Sequence, residues 1–188
     1  MLTLSDNTTL ILVDVQNGFD DPRMGKRNNP QAESNIAALL AAWRGAGRPL
    51  IHVRHDSVLP GSPLRPGQAG NDIKSEAAPQ GDEPVIGKTV NSAFIGTDLE
   101  ERLRAAGIDS VVIVGLTTDH CISTTARMAG NLGFETLLVA DATATFDRTG
   151  PDGTLHSAET IYQVELAILH GEFATVVSTA DVLAALAR

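Results

Sequence analysis

Short β-branched and aliphatic runs alternate along the chain with longer segments in which apolar residues recur every three or four positions. Runs of the first kind are typical of buried strands, and they predict strands at 9–15, 49–54, 84–86, 110–115, 135–140 and 174–177. The second kind predicts amphipathic helices at 33–43, 97–106, 118–131, 155–170 and 179–186, most of them followed by glycine. Strands and helices therefore alternate over almost the whole chain.

This alternation favours an α/β fold. Strands that are apolar over nearly their full length are typical of a parallel sheet with helices on both faces. We therefore predict a doubly wound, mainly parallel six-stranded sheet in three layers, formed by a single domain that spans residues 1–188. In such sheets, binding sites form at the carboxyl ends of the strands.

One segment interrupts the alternation. Between residues 60 and 84, nine of 25 positions are glycine or proline, and the hydrophobic periodicity is almost lost. Loops of this length are often lids or binding loops, but a solvated connection fits the composition equally well. Both interpretations remain open from the sequence.

The composition excludes several classes of function. The 188-residue chain has 14 Lys and Arg against 23 Asp and Glu, for a net charge of −9, and only 4% aromatic residues. Nucleic-acid binders carry basic patches and stacking aromatics, so we expect no nucleic-acid partner. No apolar run reaches the ~18 residues of a membrane span, and the first residues lack the positive region of a signal peptide. We therefore expect a soluble, cytoplasmic protein without a membrane partner.

Three chemically distinctive residues lie at or near the ends of predicted strands. Asp14 lies inside the apolar first strand, next to its predicted end, where a buried carboxylate needs a partner or a raised pKa. Lys88 follows the short third strand, and Cys121, the single cysteine, comes shortly after the fourth. A lone cysteine excludes an intrachain disulfide. Each residue alone fits a structural role, but three of them at strand ends together indicate a site.

Cys121 falls near the start of a predicted helix. If Thr118 is the N-cap, Cys121 occupies the third position of the first helical turn. A helix N-terminus and a nearby ammonium both stabilise a thiolate, so we expect a thiol pKa below the usual value of ~8.5. Cys121 should then be alkylated faster than a free thiol at about pH 6 to 7.

Three segments carry a resemblance to a known family. The sequences TLILVDVQNGF at 9–19, GKTVNSAFIGTDLEERL at 87–103 and VVIVGLTTDHCISTTARMAGNLGFETLLVADATATF at 111–146 resemble the isochorismatase-like cysteine hydrolases. The resemblance implies a catalytic triad of Asp14, Lys88 and Cys121. It also implies a cis peptide bond between Leu116 and Thr117, and an oxyanion hole formed by the N–H groups of Thr117 and Cys121. Members are commonly oligomeric, so the resemblance implies a homo-oligomer, either a dimer or a tetramer.

The resemblance also suggests the reaction. True isochorismatases cleave a vinyl ether with the Asp and lack the nucleophilic Cys, so Cys121 favours cleavage of a C–N bond. The implied substrate is a small amide, carbamoyl or ureido molecule that forms a thioester acyl-enzyme on Cys121. An ether hydrolase, a thiol-based redox protein and a non-catalytic small-molecule-binding protein of the same fold are the alternatives. A redox role is disfavoured because the chain contains no resolving cysteine.

No cofactor and no metal are expected. Nicotinamidases of this family have an Asp-x-His metal-binding pattern after the second strand, but residues 50–57 here read LIHVRHDS. His52 and His55 in this segment would lie on opposite faces of a strand. The sequence leaves open whether either histidine contacts a ligand.

Further residues occupy positions that fit the lining of a substrate pocket. They are Phe19, Asn91, Phe94 and His120. The two phenylalanines fit the hydrophobic core equally well. An anionic substrate would also need a cation in the pocket, and the sequence offers Arg54, Arg65 and Lys74 without showing which of them faces it.

Overall fold

A computed structural model, which describes residues 2–187, contains a six-stranded sheet and a separate two-stranded hairpin. The strands are β1 (Thr9–Val13), β2 (Leu50–His55), β3 (Val85–Lys88), β4 (Ser110–Leu116), β5 (Glu135–Ala144), β6 (Arg148–Thr149), β7 (Leu155–His156) and β8 (Thr175–Val177). The helices are α1 (Ala32–Gly45), α2 (Leu99–Ala105), α3 (Ser123–Asn131), α4 (Ala158–Leu169) and α5 (Thr179–Leu186). The large sheet has the order β3-β2-β1-β4-β5-β8 and all its neighbouring pairs are parallel. This arrangement confirms the predicted doubly wound sheet.

The two faces of the sheet pack against different helices, because successive residues of a strand point to opposite sides. On one face, Ile11 and Val13 of β1 belong to a buried cluster with apolar residues of α2, α3 and α4. On the other face, Leu10 and Leu12 belong to a cluster with residues of α1 and α5. The predicted three layers are thus confirmed. Within residues 2–187, no helix has the length and hydrophobicity needed to cross a membrane.

Several element boundaries differ from the sequence prediction. β1 ends at Val13 rather than at residue 15, because Asp14 has a φ of 53° and leaves the strand. β5 continues to Ala144, four residues past its predicted end. The predicted helix at 155–170 begins only at Ala158, since residues 155 and 156 pair with 148 and 149 in the β6–β7 hairpin. The predicted helix at 118–131 begins with a π-helical turn, Thr118–Ile122.

Gly115 allows the end of β4 to lie close against β1. It pairs with Val13 in the sheet and has a φ of 126°, which other residues rarely adopt. A Cβ atom at this position would lie only 1.9 Å from the carbonyl oxygen of Val13. Glycine is therefore required here, and it brings the segment after β4 next to Asp14.

The glycine- and proline-rich loop at 60–84 is anchored to the sheet in its middle. The buried Asn71 side chain donates hydrogen bonds of 2.9 Å to the carbonyl oxygens of both His55 and Leu64. The Lys74 amide donates to the carbonyl oxygen of Val15 at 2.9 Å. These bonds fix the loop against the ends of β1 and β2, and they are compatible with both interpretations of the segment, a lid and a solvated connection.

Candidate active site

The carboxyl ends of adjacent strands bring the three residues predicted from the sequence together. Asp14 follows β1, Lys88 ends β3, and Cys121 lies in the π-helical turn after β4. Because β3, β2, β1 and β4 are neighbours, these positions meet at one edge of the sheet. The Lys88 ammonium lies 2.6 Å from Asp14 Oδ2 and 3.3 Å from Cys121 Sγ. The side chains of Asp14 and Lys88 are fully buried.

Lys88 lies at the centre of this cluster. In addition to Asp14 and Cys121, its Nζ is 3.1 Å from Nδ1 of His55 and 3.2 Å from the carbonyl oxygen of Val90. An ammonium has three N–H donors. Because four acceptors surround it, each donor has a partner. This full set of acceptors makes the burial of a charged lysine tolerable.

Asp14 is held in an unusual backbone conformation. Its φ of 53° lies in the left-handed region, where non-glycine residues are uncommon and where strain often marks a functional site. Its amide donates to the carbonyl oxygen of Val53 at 2.8 Å, which fixes the conformation. One carboxylate oxygen accepts from Lys88, whereas the buried Oδ1 has no hydrogen-bond partner within residues 2–187. Asp14 therefore has one oxygen that is free to take part in chemistry. A carboxylate oxygen of Asp14 lies within 4.8 Å of Cys121 Sγ.

Burial shifts the acid–base properties of this cluster. It raises the pKa of Asp14 to about 6, although the Lys88 ammonium opposes the shift. Burial also raises the pKa of the Cys121 thiol, the Asp14 carboxylate adds to this effect, and Lys88 opposes it. At neutral pH, Asp14 is therefore ionised and the Cys121 thiol is protonated in the resting site.

This protonation state contradicts the sequence prediction of an activated thiolate. That prediction relied on a helix N-terminus and an ammonium near Cys121, and the Lys88 ammonium, 3.3 Å from Sγ, lowers the thiol pKa as expected. Cys121 is the fourth residue of a π-helical turn with Thr117 as its N-cap, and its side chain is only 7% exposed. Desolvation and the carboxylate outweigh the ammonium, so fast alkylation at pH 6 to 7 is no longer expected. A buried thiol with a raised pKa is also unlike a redox sensor.

A pocket of about 290 Å³ opens above Cys121. Besides Cys121 itself, its lining includes four of the residues predicted from the sequence, which are Phe19, Asn91, Thr117 and His120. The peptide bond between Leu116 and Thr117 is cis. The role of the Thr117 and Cys121 amides as an oxyanion hole stays a prediction. The rest of the lining is Met24, His55, Ser57, Leu59, Ser62, Leu64 and Arg148.

Phe94 lies elsewhere, and its predicted place in the pocket needs correction. Its ring stacks on Phe134 with the ring centroids 5.9 Å apart, and it packs against the core on the α2–α3 face of the sheet. It is not among the residues that line the pocket above Cys121. Of the two phenylalanines that fitted both core and pocket, Phe19 lines the pocket and also belongs to a buried apolar cluster, whereas Phe94 is half-buried against the core.

The two histidines of β2 have different environments. His52 is buried away from the site, and its Nε2 lies 3.0 Å from Glu83. His55 reaches Lys88 because the two residues are paired in the β2–β3 register. Burial and the Lys88 ammonium lower the pKa of His55 to about 4, so its ring is neutral near pH 7. Sequence spacing correctly separated the two faces but gave no sign that His55 contacts Lys88.

Within the described residues, one group of side chains is arranged so that it could hold a metal ion, and this group belongs to the same cluster. Ligand atoms of Asp14, His55 and Cys121 lie within 4.8 Å of one another. The Lys88 ammonium, however, lies 2.6 to 3.3 Å from all three residues and thus takes the position that a cation would need. The cluster is better suited to hold the lysine than a metal ion.

Arg148 is a charged residue of the pocket lining that the sequence analysis did not select. Two of the cations considered there are engaged elsewhere, since Arg54 pairs with Asp56 and Lys74 pairs with Asp20 and Glu33. Arg148 follows a run of small and polar residues and carries no sequence motif. Its position depends on the extension of β5 and on the β6–β7 hairpin, which the hydrophobic pattern did not predict.

Comparison with protein families matches residues 8–181 to the isochorismatase domain, a range that includes Asp14, Lys88 and Cys121. A curated relative from Bacillus subtilis, the isochorismatase family protein YrdC, is 49% identical over 176 residues. The aligned region covers 94% of this chain and 94% of the relative. Among solved structures, an isochorismatase-family protein from Chromobacterium violaceum has 50% identity and a TM-score of 0.96, with 99% of this chain and 97% of that one covered. N-carbamoylsarcosine amidase from Thermoplasma acidophilum is more distant, with 26% identity, a TM-score of 0.73 and coverage of 92% and 96%.

Proposed function

The chain belongs to the isochorismatase family of hydrolases, and from this premise we propose that it is a cysteine hydrolase acting on a C–N bond of a small amide, carbamoyl or ureido compound. The observation that carries the proposal is the contact of Lys88 with both Asp14 and Cys121 beneath an open pocket. A nucleophile, a base and a cation that orients both are the groups that acyl transfer requires.

The first half of the reaction forms a thioester. As Cys121 Sγ attacks the substrate carbonyl carbon, its proton passes to Asp14, whose pKa of about 6 leaves it ionised but basic at neutral pH. The carbonyl oxygen becomes an oxyanion, for which the Thr117 and Cys121 amides are the proposed donors. The C–N bond then breaks, the leaving nitrogen takes the proton from Asp14, and ammonia or an amine departs.

The second half releases the acid. A water molecule gives a proton to the Asp14 carboxylate and adds to the thioester carbonyl carbon. The C–S bond breaks and the proton returns to sulfur, which restores the thiol and the carboxylate. Throughout the cycle, the Lys88 ammonium keeps Asp14 in place and stabilises negative charge on sulfur as it develops.

Two observations support cleavage of a C–N bond over the ether cleavage that the family name suggests. The site contains a cysteine whose Sγ lies 3.3 Å from Lys88, and ether hydrolysis by an acid needs no nucleophilic thiol. The similar structure from Thermoplasma acidophilum is named for an amidase that acts on a carbamoyl compound. Burial of Cys121 and its raised pKa argue against the alternative of a thiol-based redox protein.

The test is ammonia release from a panel of small amides, N-carbamoyl compounds and ureas. We expect Cys121→Ala to abolish release while the circular dichroism spectrum and melting temperature stay close to the wild-type values. Ser123→Ala removes a single side-chain atom two residues away and outside the pocket lining, so this control should keep full activity. Acid quench during turnover should trap the acyl group on Cys121, visible as added mass on its peptide.

Other results would separate the alternatives. Ammonia release that persists in Cys121→Ala would exclude the thiol as nucleophile. Cleavage of a vinyl ether that survives the same substitution would favour the ether-hydrolase alternative. A wild-type protein that releases no ammonia from any substrate but forms a peroxide-dependent intermolecular disulfide would favour the redox alternative.

A further inference from the structure

A second charged cluster faces the same pocket and takes no part in the proposed hydrolysis. It consists of Asp119, His120 and Arg148. Among the described residues that line the pocket, Arg148 is the one with a permanent positive charge, and none carries a carboxylate. Asp119 lies behind this lining, with its side chain only 10% exposed.

Asp119 fixes the orientation of Arg148. The Arg148 Nε donates to Asp119 Oδ2 at 2.7 Å, and Nη2 lies 3.3 Å from Oδ1. Thr145 donates to the same carboxylate at 2.5 Å. Burial alone would raise the pKa of Asp119, but hydrogen bonds from His120, Arg148 and Thr145 hold it well below its usual range. Asp119 therefore stays ionised and holds one edge of the guanidinium in place.

The other edge of the guanidinium is available to a ligand. Nη1 of Arg148 donates to no group within residues 2–187, and Nη2 contacts Asp119 and the Nδ1 of His120, the latter at 3.1 Å. The Asp14–Lys88 and Asp119–Arg148 pairs are each neutral, so the pocket itself does not repel an anion although the chain has a net charge of −9. A guanidinium edge with free N–H groups binds the planar carboxylate group especially well.

The remaining walls limit what can lie between the thiol and the guanidinium. The pocket volume of about 290 Å³ is at the small end for ligand sites. Phe19, Met24 and Leu64 contribute apolar surface to it. These dimensions and this surface suit a short hydrocarbon spacer.

We propose that Arg148 is a substrate-binding residue that recognises a carboxylate, so that the substrate is a small amide or carbamoyl compound with a carboxylate a few bonds from the scissile C–N bond. This inference rests on the proposed hydrolase function, because it assigns a substrate class to that site.

The test compares substrates that differ only in charge. Succinamate and 4-methylpentanamide have the same shape, with a carboxylate in one and an isopropyl group in the other, and N-carbamoylglycine and isobutylurea form a second such pair. Ammonia release is measured for each with wild type, Arg148→Met and Arg148→Lys. The control is Arg102→Met, which removes an ion-paired arginine of α2 that does not line this pocket.

Arg148→Met should lower kcat/KM for the carboxylate members by about 10- to 100-fold and change the neutral members by less than about threefold. Arg148→Lys keeps a cation beside Asp119, so it should fold normally and retain part of the preference. Arg102→Met should match wild type. Equal losses on both members of a pair, or a wild type that does not prefer the carboxylate, would overturn the proposal.

Binding without turnover gives an independent readout. Succinate should protect Cys121 of the wild type from iodoacetamide, and Arg148→Met should lose that protection. Absence of protection in the wild type would count against the carboxylate site even if amides are hydrolysed. Protection together with no hydrolysis of any substrate would keep the carboxylate site and refute the hydrolase function instead.

Discussion

Replacing Asp14 by Asn should stop hydrolysis and at the same time make Cys121 more reactive towards alkylating agents. The substitution removes the base that accepts the thiol proton, so turnover is lost. It also removes the negative charge that raises the pKa of the thiol and leaves the Lys88 ammonium, 3.3 Å from Sγ, without an opposing charge. Asn is well suited to the position because it tolerates the φ of 53° observed at Asp14.

The magnitude follows from the distance between the two groups. A carboxylate oxygen of Asp14 lies within 4.8 Å of Sγ. At an effective dielectric constant of about 20, two unit charges at this distance repel by about 3.5 kcal/mol, or about 2.5 pKa units. The lower thiol pKa would raise the thiolate fraction by about 300-fold. A less basic thiolate is also a weaker nucleophile, and this cancels roughly half of the gain in rate on a logarithmic scale. We expect alkylation to be about 10- to 50-fold faster.

The assay is the rate of iodoacetamide incorporation into Cys121, followed by mass spectrometry at pH 7.5. Asp152→Asn is the control, since Asp152 is exposed and does not line the pocket. Lys88→Met should have the opposite effect, because loss of the ammonium raises the thiol pKa further. Slower alkylation in Asp14→Asn would mean that Asp14 already ionises the thiol in the resting enzyme, and would refute the protonation state derived above.

Four further predictions concern the same cluster. kcat/KM should rise with pH through about 6, the pKa of Asp14, and a profile that is flat between pH 5 and 7 would contradict the role of this carboxylate as the base. The pKa of Asp14 is raised above its unfolded value of 3.8, so its ionisation costs stability. As the pH rises from 5 to 7.5, the free energy of unfolding of the wild type should therefore fall relative to that of Asp14→Asn, by on the order of 1 kcal/mol. His55→Ala should lower kcat more than His55→Gln, whose amide oxygen can still accept from Lys88; equal rates would show that the acceptor is unimportant. Gly115→Ala should lower the midpoint of thermal unfolding markedly, because its Cβ would lie 1.9 Å from the Val13 carbonyl oxygen, and an unchanged midpoint would contradict the close approach of β4 to β1.

The hydrophobic pattern was sufficient to predict the sheet and the meeting point of Asp14, Lys88 and Cys121. A parallel α/β sheet places the ends of its strands at one edge, and the apolar runs located those ends to within a few residues. The pattern could not predict the protonation state of the site. Local sequence suggested that a helix N-terminus acts on Cys121, whereas the pKa depends on burial and on the distance to Asp14, which only the folded chain defines.

Contacts that depend on register or on irregular segments were also beyond the sequence. His55 acts on Lys88 because β2 and β3 pair in one particular register, and a shift by one residue would turn the ring to the other face. Arg148 reaches the pocket through a two-residue strand too short to leave a hydrophobic pattern. The sequence analysis left open whether His55 contacts a ligand and did not select Arg148, because neither position carries a motif that defines its contacts.

The two carboxylates next to the pocket illustrate how environment divides roles between identical groups. Asp14 accepts from Lys88 through one oxygen, and its other oxygen has no partner among residues 2–187, so burial dominates and its pKa rises to about 6. Asp119 accepts from an arginine and a threonine and lies beside a histidine, so hydrogen bonds dominate and its pKa falls. A carboxylate that gains and loses a proton near neutral pH can carry protons in catalysis, whereas one that stays ionised can only hold a cation in place. On our proposals, Asp14 therefore serves the chemistry at Cys121, and Asp119 serves recognition of the substrate by keeping Arg148 aimed at its carboxylate.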